Sequence, residues 1–291
     1  AMLAANCCSA DFILQAKHPG LFRVHEGPTP EKLELLRSYL KALGLPLTVS
    51  DDPQPAEFQA IAKATEGRPD VQQIHTMLLR SMQQAIYTPI NSGHFGLAFE
   101  AYTHFTSPIR RYPDLLVHRV IKAILAKKRY ELPNLPVPGE AHAKLSRRLA
   151  QRGRAPSLAP GKGKASATQS AWEAAGLHCS ANERRADEAS KDVEAWLKCY
   201  FMKNRLGEEY MGTITGVTQF GLFVQLDEMF VEGLVHITDL GADYFQFDEA
   251  RHELRGERSG KRYQLTDKIK VQVSRVDLDA RRIDLRLVHE P

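Results

Sequence analysis

Residues 210–237 read YMGTITGVTQFGLFVQLDEMFVEGLVHI. In this stretch the apolar period is two. Ile214, Gly216 and Thr218 lead to a turn near Gln219. Leu222, Val224 and Leu226 alternate beyond it, and Val231 to Ile237 form the next run. Such alternation marks strands with one face buried. The same period returns at Ile269, Val271 and Val273, and again at Ile283, Leu285 and Leu287. Five short strands in about eighty residues, with a long connection before the fourth, predict a small closed barrel.

Upstream of this stretch the period is helical. The chain opens Ala-Met-Leu-Ala-Ala-Asn with no charged n-region of a signal peptide. Residues 2–16 read as an amphipathic helix already under way, which predicts the interior of a longer protein. Pro30 and Glu31 start a helix striped by Leu33, Leu35, Leu36, Leu40 and Leu43, and Gly44 closes it. Ser50 to Pro55 is a loop, and a helix follows through Phe58 and Ile61. Ile74, Met77, Leu78, Met82 and Ala85 predict a helix over Val71 to Ile86. Phe95 to Phe99 reads as a short strand, and Pro113 to Leu125 as a helix with proline in its first turn.

Residues 153–170, rich in Gly, Pro, Ala, Ser and Lys, read as a flexible basic surface insertion. A long helix is then predicted from Ala171 to Asn204. Val193, Trp196, Leu197, Tyr200 and Phe201 form its expected buried face. Gly207 ends it and marks a boundary. The fold class is α+β: a largely helical part over 1–206, then an OB-type barrel over 207–291.

Composition narrows the function classes. Hydrophobic residues make up 43% and charged residues 25%, normal for a globular chain with a real core. No apolar run approaches the roughly 18 residues that span a bilayer. Cys7 and Cys8 are adjacent, Cys179 and Cys199 stand alone, and no Cys-x-x-Cys pair occurs. A disulfide framework and a zinc site are not expected, and a reducing cytoplasm is. The net charge of +4 conceals an uneven distribution. Between Ala101 and Ser170 there are fourteen Lys and Arg and only Asp114, Glu131 and Glu140 against them. Such a block suits a polyanion, whose counterions it releases; solvated helix faces are the other reading.

Within that block, residues 104–114 read HFTSPIRRYPD. Two arginines, two hydroxyls, a histidine and a tyrosine crowd one turn that leads into a helix. Arginine forks and the helix start both suit phosphate oxygens. The alternative is a packed turn in which Arg111 pairs with Asp114.

The stretch from His104 to Asp114, extended through Leu115 and His118-Arg119, resembles the signature of the RNB family of exoribonucleases. Met2–Asn6, Thr76–Met82, Gly93–Ala98 and Glu183–Asp187 are similar to companion blocks of that family. In the barrel, Gly212, Gly216, Phe220–Val224 and Glu232–Ile237 resemble the S1 RNA-binding domain. The resemblance covers nearly the whole chain apart from residues 153–170.

The resemblance implies a processive 3′→5′ exoribonuclease. Such an enzyme threads single-stranded RNA into a channel, hydrolyses it with aspartate-held Mg²⁺ and releases nucleoside 5′-monophosphates. Arg110 matches the family's catalytic arginine, expected to contact the scissile phosphate and stabilise the transition state. Arg111 and Tyr112 either bind the adjacent phosphate or support the loop. Ser107 and His104 shape the turn. Arg185 either lines the channel or makes a surface salt bridge. Phe220 and His236 are expected to stack unpaired bases, and Phe223 either joins them or packs in the barrel core.

The family's Asp-rich metal loop has no match here. Asp51-Asp52 lies in a loop between helices, and Asp187 and Asp192 are expected to pair with Arg184, Arg185 or Lys191. No residue is assigned to metal. Mg²⁺ belongs to the complete enzyme, and this chain alone is expected to bind RNA without degrading it. Its expected partners are single-stranded RNA and the upstream part of the same catalytic domain, in a monomer with no membrane association. A non-catalytic RNA-binding protein is the alternative.

Overall fold

The computed structural model describes residues 1–45, 49–68, 70–132, 167–249 and 251–288. Six helices lie among them: α1 (Met2–Gln15), α2 (Pro30–Ala42), α3 (Pro55–Ala64), α4 (Val71–Ser81), α5 (Tyr112–Leu125) and α6 (Ala167–Met202). A short pair, β1 (Phe22–Val24) and β2 (Ile86–Thr88), precedes α5, and eight further strands follow α6. The chain divides into two compact units, 1–33 with 49–60 and 80–187, and 34–48 with 61–79 and 188–291.

In the first unit, α1, β1, β2, α5 and the first part of α6 enclose one core. Ile13, Leu21, Phe22, Val24, Tyr87, Leu116, Val117, Val120 and Trp172 are buried in it. Strands β1 and β2 pair antiparallel, with Arg23 opposite Tyr87. Helix α6 lies against β2 because position 176 is glycine; a Cβ there would stand 2.6 Å from the Tyr87 carbonyl oxygen. Four residues on, the Ser180 hydroxyl accepts the Tyr87 N–H at 2.9 Å. The partner a ladder would have supplied is thus provided by a side chain.

Two local expectations fail here. Helix α4 stops at Ser81 instead of continuing to Ile86. The Lys32 ammonium donates to the carbonyls of Arg80 and Met82, at 2.9 and 2.6 Å, so a side chain caps the helix end. Ile86 is then free to enter β2. Phe95–Leu97 is a 3₁₀ turn, not a strand. Its bonds are local, Leu97 N–H to His94 O and Ala98 N–H to Phe95 O, and the Gly96 N–H donates to His25 Nδ1.

In the second unit, α2, α3 and α4 bury Leu36, Tyr39, Leu40, Ile61 and Ile74. The expected barrel is present and closed. Its strands are β3 (Glu209–Thr218), β4 (Gly221–Leu226), β5 (Glu232–His236), β9 (Lys268–Asp277) and β10 (Arg282–Leu287), in the order β10-β5-β4-β3-β9. Ile214, Leu222, Val224, Leu226, Val235, Val271, Val273, Ile283 and Leu285 point inward and are buried. The long connection before β9 holds a second, antiparallel sheet of β6 (Phe245–Asp248), β7 (Glu253–Gly256) and β8 (Arg262–Tyr263).

The apolar stripe of α6 overturns its prediction. Val193, Trp196, Leu197, Tyr200 and Phe201 are all exposed, whereas Cys199 and Met202 are buried. Periodicity correctly groups the residues of one face, but the narrower opposite face is the one this unit covers. Asp192 pairs with Arg281 in the β9–β10 turn at 2.8 Å, not with a neighbour on its own helix. Of the insertion read at 153–170, residues 153–166 lie outside the described residues; Ala167–Ser170 already belong to α6. No helix among the described residues is long and apolar enough to cross a membrane.

Candidate functional site

The turn at 104–114 is built around one buried carboxylate. Asp114, in the first turn of α5, is fully buried. Its Oδ1 accepts the Ser107 N–H at 2.8 Å and the Arg111 Nη2 at 2.8 Å. The N–H groups of Arg110 and Arg111 both donate to the Ser107 carbonyl, at 3.3 and 3.1 Å. A loop with its turn, acid and arginine so tied has little freedom to reorient. Arg111 is thereby engaged within the protein. Tyr112, half-buried, packs against the core of the first unit. Arg110 is different: it is exposed, and its guanidinium has no partner among the described residues. It projects at the start of a helix, where backbone N–H groups add positive field.

Behind the turn lies a ring network that sequence patterning did not expose. His104 Nδ1 bonds the Tyr87 hydroxyl at 2.9 Å. The Arg23 guanidinium sits 4.6 Å over the Tyr87 ring and donates to Glu183 at 2.7 Å. The Phe105 N–H donates to Asn6 Oδ1, and Asn6 Nδ2 donates to the Tyr102 hydroxyl. His118 stacks on Phe105 at 4.1 Å and bonds its carbonyl. Burial, aided by the positive charges of Arg111 and Arg23, pushes His104 down to about 3. Burial and the neighbouring His25 push His94 down to about 4. Burial likewise raises the Tyr87 phenol. These rings are therefore neutral near pH 7 and serve as dipoles and packing for the turn. The one available signal was the Asn6 and Glu183 blocks, whose partners only the fold reveals. Arg185, two residues beyond Glu183, is exposed on α6 and makes no ion pair among the described residues.

In the second unit, three rings gather at one end of the β4–β5 ladder. Gly221 is opposite His236 and Phe223 is opposite Leu234. The Phe220 carbonyl accepts the Ile237 N–H at 2.9 Å, placing Phe220 beside the end of β5. Phe220 is half exposed and meets Phe223 edge to face at 5.9 Å. Phe223 lies on the outer face of β4, since Leu222 and Val224 fill the interior. His236 is exposed, with Nδ1 on the Thr238 hydroxyl at 2.8 Å. Gly221 has φ +150, and a Cβ would meet the Val235 carbonyl oxygen at 2.2 Å. A side chain there would also fill the gap between the rings. On β10, the strand beside β5, Arg282 and Arg286 alternate with buried Ile283 and Leu285 and face outward. Exposed ring faces beside cations suit a flexible polyanion with planar bases.

The donor set for a metal is a different matter. Among the described residues no group of three or more His, Cys, Asp or Glu could hold an ion. Asp51, Asp52 and Asp187 are exposed and Asp192 is ion-paired. The residues present do not fit a Mg²⁺ centre.

Residues 1–127 match the RNB domain family, and residues 203–287 match the S1 RNA binding domain. The chain therefore belongs to the RNB family and joins RNB sequence to an S1 barrel. In particular, it is a homologue of ribonuclease R. It is 44% identical over 287 residues to ribonuclease R of Escherichia coli, a match covering 99% of this chain and 32% of that protein. It thus spans about a third of the curated relative's length. Among solved structures, the apo form of Mycoplasma genitalium RNase R superposes with a TM-score of 0.77. That match covers 99% of this chain and 40% of the other at 24% identity, a likeness of fold. The same RNase R in complex with ribose-methylated single-stranded RNA gives a TM-score of 0.76, at 24% identity over 99% of this chain and 40% of that one.

Proposed function

We propose that this chain is the arginine-bearing and RNA-capturing part of a 3′→5′ exoribonuclease of the ribonuclease R type. The complete enzyme hydrolyses single-stranded RNA processively to nucleoside 5′-monophosphates and is Mg²⁺-dependent. The observation that carries this reading is Arg110. It is an exposed guanidinium without an internal partner, on a turn immobilised by buried Asp114 and paired Arg111. A positioned positive charge of this kind can meet the scissile phosphate without reorganising as charge builds on it. Ser107, Arg111 and Tyr112 hold that geometry. Phe220, Phe223 and His236 capture the strand, and Arg185 lies along its path. The RNA complex of the M. genitalium protein supports single-stranded RNA as the ligand.

Because the donor set does not fit Mg²⁺, the 291-residue chain binds RNA but releases no nucleotides. Incubation with Mg²⁺ and 3′-tailed RNA checks this: the expected result is a gel shift with intact RNA. Mononucleotide release at the rate of a whole ribonuclease R would refute it. In the complete enzyme, Arg110→Ala lowers turnover by orders of magnitude and leaves RNA affinity nearly unchanged, because the contact strengthens in the transition state. Lost affinity with surviving single-turnover cleavage would instead make Arg110 a binding residue. A non-catalytic RNA binder is the second reading, favoured by the missing donor set. A complete protein that binds RNA yet stays inactive with Mg²⁺ would establish it.

A further inference from the structure

Val193, Trp196, Leu197, Tyr200 and Phe201 recur at the spacing of one helix face, and each is 42% to 58% exposed. An apolar stripe of this width normally faces protein. The rest of this part of α6 is already committed. Cys199 and Met202 are buried, and Asp192 pairs with Arg281.

Charge and ring geometry argue against a nucleic acid on this face. Residues 187–205 hold four acids and four bases, so the segment has no net charge. Lys198 pairs with Glu194 at 2.6 Å. Lys203 lies over the Tyr200 ring at 3.9 Å, and Arg205 over the Phe201 ring at 4.5 Å. Trp196 stacks on Tyr200 at 5.3 Å. The cations and ring faces that a strand of bases would need are engaged with one another. Val193 and Leu197 offer a base no plane to stack on. The face has the chemistry of a packing surface for apolar side chains.

The homology supplies an occupant. Ribonuclease R of E. coli matches this chain over 99% of its length, yet the match takes up only 32% of that protein. We propose that the Val193–Phe201 face of α6 docks polypeptide that a ribonuclease R carries outside the matched third, as an interface within one chain. This rests on the ribonuclease R homology and not on the assignment of Arg110.

Tryptophan fluorescence tests it, because Trp172 is buried at 1% exposure and Trp196 is not. The signal of Trp196 is isolated by difference against Trp196→Phe. It is compared in the 291-residue chain and in a chimaera whose matched third of E. coli ribonuclease R is replaced by this chain. Acrylamide should quench Trp196 readily in the chain alone and severalfold less in the chimaera. As a second reading, Leu197→Asp should lower the melting temperature of the chimaera by several degrees and leave that of the chain alone unchanged. Equal quenching in both proteins, with no effect of Leu197→Asp on the chimaera, overturns the proposal. So does protection of Trp196 in the chain alone by single-stranded oligoadenylate, or by raised protein concentration with dimers in sedimentation. RNA affinity of the barrel, measured on the same samples, reports separately on the proposed function.

Discussion

Asp114 illustrates how one buried acid governs a whole turn. Its carboxylate holds a backbone N–H and an arginine at once, and its other oxygen has no partner among the described residues. Removing it strands the half-buried Arg111 and frees the Ser107 amide. Asp114→Ala should therefore cost about 3 kcal/mol of stability, in the range for breaking one side of a buried pair. Urea unfolding midpoints check the size; a cost near zero would mean the turn is held by other means. The Arg111–Asp114 pair was readable from its i, i+3 spacing. The Tyr87–His104 bond and the Arg23–Glu183 pair were not, because their partners lie 17 and 160 residues apart. No local pattern encodes such distances; they arise when β2 and α6 pack on the same core.

At the scale of elements, the barrel was legible because period-two alternation has a direct physical cause. Inward residues must be apolar for a small barrel to fill, so Leu222, Val224, Val271 and Leu285 announce their strands. The same alternation places Phe223 outward, and the β4–β5 register brings His236 to that end. If the ring cluster captures bases, Phe220→Ala and His236→Ala should each weaken single-stranded RNA binding by about 1–3 kcal/mol, with barrel stability unchanged. Fluorescence anisotropy against a short oligonucleotide measures this. Unchanged affinity in the double variant would move the binding surface elsewhere, with outward Arg282 and Arg286 as the next candidates. The β6–β8 sheet escaped notice because its strands are two to four residues long and rich in charge. Buried Glu253 shows the difficulty: a strand residue facing inward is an acid, satisfied by Gln264.

For the molecule as a whole, the buried histidines set the acid limit of the fold. His94 and His104 are held down to about 4 and about 3, against 6.5 when unfolded. Below pH 6.5 the unfolded chain binds protons that the folded chain refuses, so stability falls as pH drops through that window. Each histidine contributes at most about 1.4 kcal/mol per pH unit. Carboxylates with lowered values, such as Asp70 and Asp227, act in the same direction but only below about pH 4. Denaturation midpoints between pH 7 and 4.5 should therefore decline, and His104→Asn should flatten the decline; parallel curves would show that His104 is not held neutral. The sequence by itself determined the α+β class, the closed barrel, the family and the arginine that faces outward from its turn. These follow from local periodicity and from a contiguous motif, both written along the chain. Only the tertiary structure decided that α6 leaves its broad apolar face exposed, that Lys32 ends α4, and that Asp192 pairs with Arg281. A helix pattern specifies which residues share a face. Which face is covered depends on segments distant in sequence, and their approach is a property of packing.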